Sequence, residues 1–524
     1  MLTLLSNATF LRFRVITLGG VVGSFYMFTS GCFKMSKQPE EKQPNILFAI
    51  SDDQSWLNTS INGDIVVKTP AFDSVAKEGV LFTHAFSAAP SSTPSRGAIC
   101  TGQNIWRLEE GGNLWSTLPT KFPVYPDILE ANGYFIGFTG KGWGPGLNEP
   151  GGRTRNPAGP EYNNCLYQNV KPNIDYFSNF KEFYRKKPKN KPFCFWFGSQ
   201  DPHRGYIKGS GLKSGMKLSD VKVPKFLPDH PEVRSDILDY YYEIERFDED
   251  LGKIIDFLKK EGEFDNTMIV VTGDNGMPFP RGKCTLYDFG VREPLAICWP
   301  KKVSGGRIVD DFISFTDFAP TFIEAAGLTP IPEMTGKSFF DILTSEKDGK
   351  VDSSRNKVFS ALERHTFCRL DNLGYPMRSI RTYDYLYIHN YEPERWPSGD
   401  PERWWWREVY DEIDGGPTKK YMIDNQNADS VKQLFDLAFG KRPEEELYDL
   451  KKDPEQINNV AYDPNYSNIM QELRIQLDSY LKKTGDPRET GKPIMWDCYP
   501  QYWKPIIIRT FDGTGFKIKK QNKK

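Results

Sequence analysis

Four groups of polar residues in this chain each stand shortly after a run of apolar residues. Asp52-Asp53 follow Asn45 to Ile50, Lys141 follows Tyr134 to Phe138, Asp201-Pro202-His203-Arg204 follow Phe193 to Phe197, and Asp274-Asn275 follow Met268 to Val271. An Asp after a strand is a common turn or cap residue, so one such group alone carries little. Together they supply acid, ammonium, imidazole and amide groups from separate strand ends, as a metal-centred hydrolase requires. Asp52, Asp53, Asp274 and Asn275 form a hard oxygen set that suits Ca²⁺ at about 2.3–2.6 Å. No histidine or thiolate joins them, which argues against Zn²⁺. A further motif, Ser92-Thr93-Pro94-Ser95-Arg96, continues to Thr101-Gly102. With a helix beginning at the motif, Arg96 lies one turn beyond Ser92, and its guanidinium fork faces the same point in space.

These groups need elements to hold them. The apolar runs, with a further one from Leu295 to Trp299, are bounded by polar or Gly residues and read as strands buried on both faces. Helical patterns alternate with them. Ile237, Tyr241, Ile244, Leu251, Ile255 and Leu258 share one face of a long amphipathic helix. A second helix follows Thr316-Asp317, carries Phe318, Phe322 and Ile323, and stops at Gly327. The alternation predicts an α/β fold, a mixed or parallel sheet covered by helices, with ligands beyond the carboxyl ends of its strands. Past residue 374 the texture changes. Met377 to Tyr391 alternates apolar and charged residues as an antiparallel pair would. A loop rich in Pro, Trp and charge follows from Glu392 to Arg407, then Glu446-Leu447-Tyr448-Asp449 and a helix from about Asn465 to Leu481. The expected division is a catalytic domain over 45–374 and a smaller C-terminal α+β subdomain, built on an antiparallel sheet, over 375–524.

The chain has 524 residues, with 68 Lys+Arg against 69 Asp+Glu, so no basic field points to nucleic acid. Its 12 Trp suit either an enzyme that handles sugar rings or aromatic core packing. Arg12 and Arg14 precede an apolar run from Val15 to Phe28, the pattern of a secretory signal. Thr29-Ser30-Gly31-Cys32 then resembles a bacterial lipobox. Residues 1–32 are read as a signal segment with a lipid anchor at Cys32 as one option, and 33–44 as a spacer. Export to the periplasm or cell surface is the expectation. The seven other cysteines show no metal-type spacing.

The Ser92 motif, followed by Thr101-Gly102, resembles the signature of the type I sulfatases. Asp52-Asp53, Gly140-Lys141, Asp201-Pro202-His203-Arg204 and Thr272-Gly273-Asp274-Asn275-Gly276 occur in that family's order. A narrower resemblance is to the sulfamidase (heparan N-sulfatase) branch. It rests on Asp201 to Arg204, Asp274 to Pro280 with Lys283 and Leu286-Tyr287, Tyr375-Pro376-Met377-Arg378-Ser379, and Glu446 to Asp449 before Asp453-Pro454. The resemblance implies an alkaline-phosphatase-like fold and roles for the residues. Ser92 becomes formylglycine, made by a radical-type sulfatase-maturing enzyme. Asp52, Asp53, Asp274, Asn275 and the modified Ser92 bind Ca²⁺. Arg96 and Lys141 hold formylglycine and sulfate, His203 contacts sulfate and the scissile atom, and Lys283 serves the leaving group. The implied substrate is a sulfated saccharide, with N-sulfoglucosamine the nearest match and an O-sulfated unit the alternative. One position departs from the family. Where it usually has His two residues after the Lys, this chain has Gly142-Trp143, and indole cannot act as a base.

Arg204, His365, Arg378 and Trp143 are candidates for the substrate rim. Trp396 and Trp404-Trp405-Trp406 either stack on sugar faces or pack between subdomains. Two rival readings remain. A phosphate or phosphonate ester hydrolase on the same fold would use two metals with histidine ligands that this chain lacks. A glycan-binding protein without activity would fit Trp143 but not the intact motif.

Overall fold

The computed structural model describes residues 42–168, 173–403, 407–503, 506–511 and 516–521. The signal segment, nearly all of the spacer, and Trp404 to Trp406 lie outside the described residues. Seven strands form the main sheet: β1 (Asn45–Ser51), β2 (Val80–Phe86), β3 (Phe135–Gly140), β4 (Phe193–Gly198), β5 (Thr267–Gly273), β6 (Arg292–Cys298) and β7 (Arg307–Ser314). Their order is β3-β4-β1-β5-β6-β2-β7. Pairing is parallel across β3, β4, β1 and β5, and β6 runs antiparallel to both β5 and β2.

The sequence of β1 shows why it sits at the centre. Ile46, Phe48 and Ile50 pack into the core on one face with Phe318 and Phe322, while Leu47 and Ala49 pack into the core on the other with Phe247 and Leu251. A strand buried on both faces needs an unbroken apolar run, and each fully buried side chain of this size contributes about 1.5–3 kcal/mol. The helix Phe318–Ala325 covers one face and the 30-residue helix Pro231–Lys260 the other.

Register then places the chemistry. Ser51 of β1 pairs with Gly273 of β5, so Asp52 and Asp274 leave the sheet side by side. Ile50 and Gly140 both pair with Gly198 of β4, which brings Lys141 to the same edge. Two strands, β2 and β7, escape the pattern of apolar runs. β2 carries Thr83-His84 at an irregularity in its register, and β7 carries Asp310-Asp311 as the sheet's terminal strand.

A second, antiparallel sheet has the order β11-β10-β9-β8, from β8 (Lys357–Leu362), β9 (Met377–Thr382), β10 (Tyr385–Asn390) and β11 (Glu445–Asp449). β8 lies before residue 375, so this sheet draws on chain upstream of the expected division. β12 (Ile506–Phe511) and β13 (Phe516–Gln521) form a hairpin that the sequence pattern did not suggest. Cys100, Cys165, Cys194, Cys284, Cys298, Cys368 and Cys498 are all free thiols. Among the described residues, no helix is long and apolar enough to cross a membrane.

Candidate active site

Ser92 opens the helix Ser92–Thr101, and every residue of that helix is buried. Pro94 falls in the first turn, where its missing N–H is no loss. Gly102 ends the helix at φ 67° and donates its N–H to the carbonyl of Ala98, the left-handed stop that favours glycine. Ser95 Oγ donates to the Asp274 carbonyl at 2.5 Å and ties the helix to the end of β5. The motif is thus a built turn, and it presents the first-residue side chain at the edge where β1, β3 and β5 end.

Ser92, only 2% exposed, sits among groups that can accept or compensate charge. Its Oγ lies 3.2 Å from Asp52 Oδ1 and 3.3 Å from Asn275 Oδ1, and it accepts from Lys141 Nζ at 2.9 Å. The same ammonium spans both Asp52 oxygens at 2.6 and 2.7 Å. Arg96 Nε donates to Asp274 Oδ2 at 2.8 Å, and its Nη1 donates to the carbonyls of Lys141 and Gly142. Its buried Nη2 has no hydrogen-bond partner among the described residues and lies 3.9 Å from Asp52 Oδ1. Burial raises the Asp274 carboxyl, but Arg96 and Lys141 outweigh it and hold that group below the usual carboxylate range.

Asp53 faces a second set of groups. Its backbone takes φ 71°, a left-handed conformation that Asp tolerates better than most residues. Its N–H donates to Asp274 Oδ1 at 3.0 Å, and its side chain accepts from Asn275 Nδ2 at 2.7 Å and Lys283 Nζ at 2.9 Å. Lys283 also donates to Asp414 Oδ2 at 2.8 Å. His203 Nε2 lies 3.9 Å from Asp53 Oδ2. Its Nδ1 is 2.5 Å from the Arg204 carbonyl; a carbonyl only accepts, so Nδ1 carries the hydrogen and Nε2 is left toward the cleft. Burial pushes the Asp53 carboxyl up to about 6, against the pull of Lys283 and His203.

The carboxylates of Asp52, Asp53 and Asp274 offer oxygens within 4.8 Å of one another. Asp52, Asp53, Asp274 and Asp414 face three cations, Arg96, Lys141 and Lys283. An anionic substrate would add to that negative excess. The all-oxygen donor set and the charge balance fit a hard divalent cation.

The cleft beside Lys141 and His203 has a volume of about 1270 Å³ and is walled by Trp143, Trp115 and Tyr167. Trp143 is only 4% exposed, and most of its ring packs in the core. Its indole Nε1 has no hydrogen-bond partner among the described residues and lies near Gly97, where an added Cβ would sit 3.5 Å from it. Asn156 fixes the Trp143 backbone at both its N–H and its carbonyl.

Two rim candidates, Arg378 and His365, are placed elsewhere, and a third, Arg204, is tied down. Arg378 is fully buried, with Nε on Asp486 Oδ2 and Nη2 on Glu363 Oε1, both at 2.6 Å. It is an internal strut of the smaller sheet and cannot reach a sugar. His365 lies beneath Ser91, its Nδ1 2.8 Å from Ser91 Oγ, and burial pulls its pKa down to about 4. It backs the nucleophile helix as a neutral imidazole. Arg204 borders the cleft, but its guanidinium is bound to both oxygens of Asp236 at 2.8 Å and to the Pro278 carbonyl. Its role is to brace the cleft loop on the helix Pro231–Lys260. Trp396 packs partly buried in the cluster around Tyr410 and Phe439.

Asp414 was not among the residues singled out. No apolar run precedes it, and its only signal is the acidic stretch Asp411-Glu412-Ile413-Asp414, which reads as a solvated loop.

The Sulfatase family model matches residues 44–328, and the model described as N-sulphoglucosamine sulphohydrolase, C-terminal, matches residues 281–404. An ulvan-active sulfatase of Formosa agariphila is 29% identical over 456 residues, covering 85% of this chain and 81% of the relative. The human N-sulphoglucosamine sulphohydrolase is 26% identical over 500 residues, covering 87% and 92%. The solved structure of BT4656 in complex with its substrate D-glucosamine-2-N,6-O-disulfate superposes with a TM-score of 0.64 at 20% identity, covering 86% of this chain and all of that one. A phosphonate monoester hydrolase of Agrobacterium radiobacter shares the fold at a TM-score of 0.58 and 17% identity. The first of these models spans more than half of the chain and takes in every strand end that meets at Ser92. The chain belongs to the sulfatase family and is a hydrolase of sulfuric esters or sulfamates.

Proposed function

We propose that this enzyme removes sulfate from an amino sugar of a sulfated glycan, using formylglycine made from Ser92 and Ca²⁺ held by Asp52, Asp53, Asp274 and Asn275. The observation that carries the reading is the position of Ser92 Oγ, between Asp52 and Asn275 and under Lys141 Nζ. The hydrate of formylglycine supplies two hydroxyls on one carbon, and a bound dication supplies Lewis acidity toward a sulfate oxygen. The chain's own residues do the rest. Lys141 neutralises the oxygen at position 92 and holds Asp52 in place. Arg96 fixes Asp274 and keeps its Nη2 3.9 Å from Asp52 Oδ1. His203 presents Nε2 to move a proton at the leaving atom, and Lys283 offers positive charge there. Burial of Ser92 keeps bulk water away from the nucleophile.

N-sulfoglucosamine is the favoured substrate, supported by the match over residues 281–404. An O-sulfated unit is the second reading, favoured by Trp143 in place of the family's histidine and by the ulvan-active relative. Export, with Cys32 as a lipid attachment point, and maturation by a radical-type enzyme complete the proposal on the strength of the N-terminal sequence and the Ser-type motif. The test is mass spectrometry of the peptide spanning Ser92 after co-expression with a maturing enzyme, alongside sulfate release from N- and O-sulfated glucosamines. A peptide that keeps an intact serine in an active preparation would overturn the formylglycine assignment.

A further inference from the structure

A carboxylate beside the groups of an anion-binding site calls for an explanation. Asp414 is 27% exposed, and its Oδ2 holds the ammonium of Lys283, itself 5% exposed, at 2.8 Å. One Asp414 oxygen, one His203 nitrogen and one Asp53 oxygen all lie within 4.8 Å of one another, and His203 lines the cleft at 38% side-chain exposure. Asp52 faces the nucleophile with Lys141, whereas Asp53 faces Lys283 and His203. Displacement at sulfur runs in line, with the leaving atom opposite the attacking one. With His203 and Lys283 serving the leaving atom, as proposed above, that atom faces the side where Asp414 holds Lys283. Near a sulfate, a carboxylate there repels. Near an atom that carries a hydrogen and gains positive charge, it attracts.

We propose that Asp414 is a specificity-determining residue that selects a nitrogen leaving group, so that the site favours a sulfamate over a sulfate ester. The inference rests on the sulfatase reading of the site. In a sulfamate the S–N bond breaks. Over the whole reaction water gives its oxygen to sulfur and both its protons to nitrogen, so an anionic sulfamate yields an ammonium ion and a sulfate dianion. The N–H present from the start can donate to Asp414 Oδ1, and the ammonium that forms is stabilised by the same carboxylate. A sulfate ester at the same ring position leaves as a neutral alcohol, has no hydrogen on the bridging atom, and gains nothing from this contact. Specificity of this kind arises because a polar group built for one partner is left unmatched by the other.

The test uses the full-length matured enzyme and two matched sugars, glucosamine N-sulfate and glucose 2-sulfate, which differ only in the bridging atom. Asp414→Asn keeps the shape of the side chain and removes its charge. Because Asp414 also holds Lys283, turnover of both sugars falls. The expected result is that the ratio of kcat/KM for the N-sulfate over the O-sulfate falls by a further factor of about 10 to 100, and that Asp414→Glu restores part of it. Free glucosamine should inhibit the wild type better than glucose does, and Asp414→Asn should erase that difference. An equal fall on both sugars overturns the proposal and reduces Asp414 to a holder of Lys283. A wild type inert on glucosamine N-sulfate overturns it as well. Failure of the broader reading shows separately, as an unmodified Ser92 in active enzyme or as no sulfate released from any sugar.

Discussion

In the seven-stranded sheet β1, β3, β4 and β5 send charged residues past their ends, whereas the four-stranded sheet keeps its charge inside. On the first, Asp52, Lys141, Asp201 and Asp274 all follow strands without a charged residue, and register collects them at one edge. On the second, Arg378 and Arg381 stand within β9, the former on Glu363 and Asp486 and the latter on Asp288. The first sheet spends its charge on chemistry. The second uses it to bind segments far apart in sequence, and reaches the active site through the loop that carries Asp414. The two uses differ in what a mutation should do.

The largest effect is expected at the strand-end cluster. Ser92→Ala should lower turnover by at least about 10³-fold while the melting temperature stays within a degree or so of wild type, read by sulfate release and calorimetry on one sample. Asp274→Ala should lose activity to the same extent and also lose the rise in melting temperature on adding Ca²⁺. Full metal occupancy in that variant, measured by elemental analysis, would break the ligand assignment.

The smaller sheet should answer in stability. Arg378→Ala takes the buried counter-ion from Asp486 and leaves Glu363 to Arg488 alone, and removal of one partner of a buried pair costs about 3–5 kcal/mol. Denaturant midpoints should show that loss, whereas KM for any substrate that the surviving folded enzyme turns over should not change. A selective rise in KM would return Arg378 to the rim.

A pH experiment without metal sharpens the contrast. Asp53 has its carboxyl raised from 3.8 to about 6 in the folded chain, so the folded state binds more protons than the unfolded one between those values. Stability of the chelated protein should therefore be greatest below about pH 4 as far as this group is concerned. It should fall as pH rises toward 6, by about 3 kcal/mol in total. Added Ca²⁺ should stabilise more above pH 6 than below pH 4, and equal stabilisation at both would show that Asp53 does not bind it. The smallest expected change is at Trp143→His, which places a titratable group near the nucleophile. It should shift the pH profile or substrate preference of turnover, and identical profiles would place residue 143 outside the reaction.

The same contrast explains what could be read in the sequence. A strand such as β1, buried on both faces, has to be written as an uninterrupted apolar run, so both its existence and the polar residues at its end are visible. β2 and β7 mix charge or histidine into their runs and lose that signature. Arg378 reads as a solvent-facing position on an alternating strand, because the Asp486 that buries it lies 108 residues away. Asp414 belongs to no element, and its meaning comes only from Lys283, 131 positions earlier. Trp143 was visible as a departure. Its packing against the nucleophile helix, where Gly97 leaves room for the ring, was not.

The burial of the Ser92 helix also constrains timing. All ten of its residues are buried, and the side chain at position 92 lies among groups that follow β1, β3 and β5. A second protein that is to alter that side chain must take hold of the surrounding segment as an open strand, which the folded sheet no longer offers. Any such alteration belongs to the interval between synthesis of the segment and closure of β5 over it. A chain that folds first is committed to the side chain it was made with.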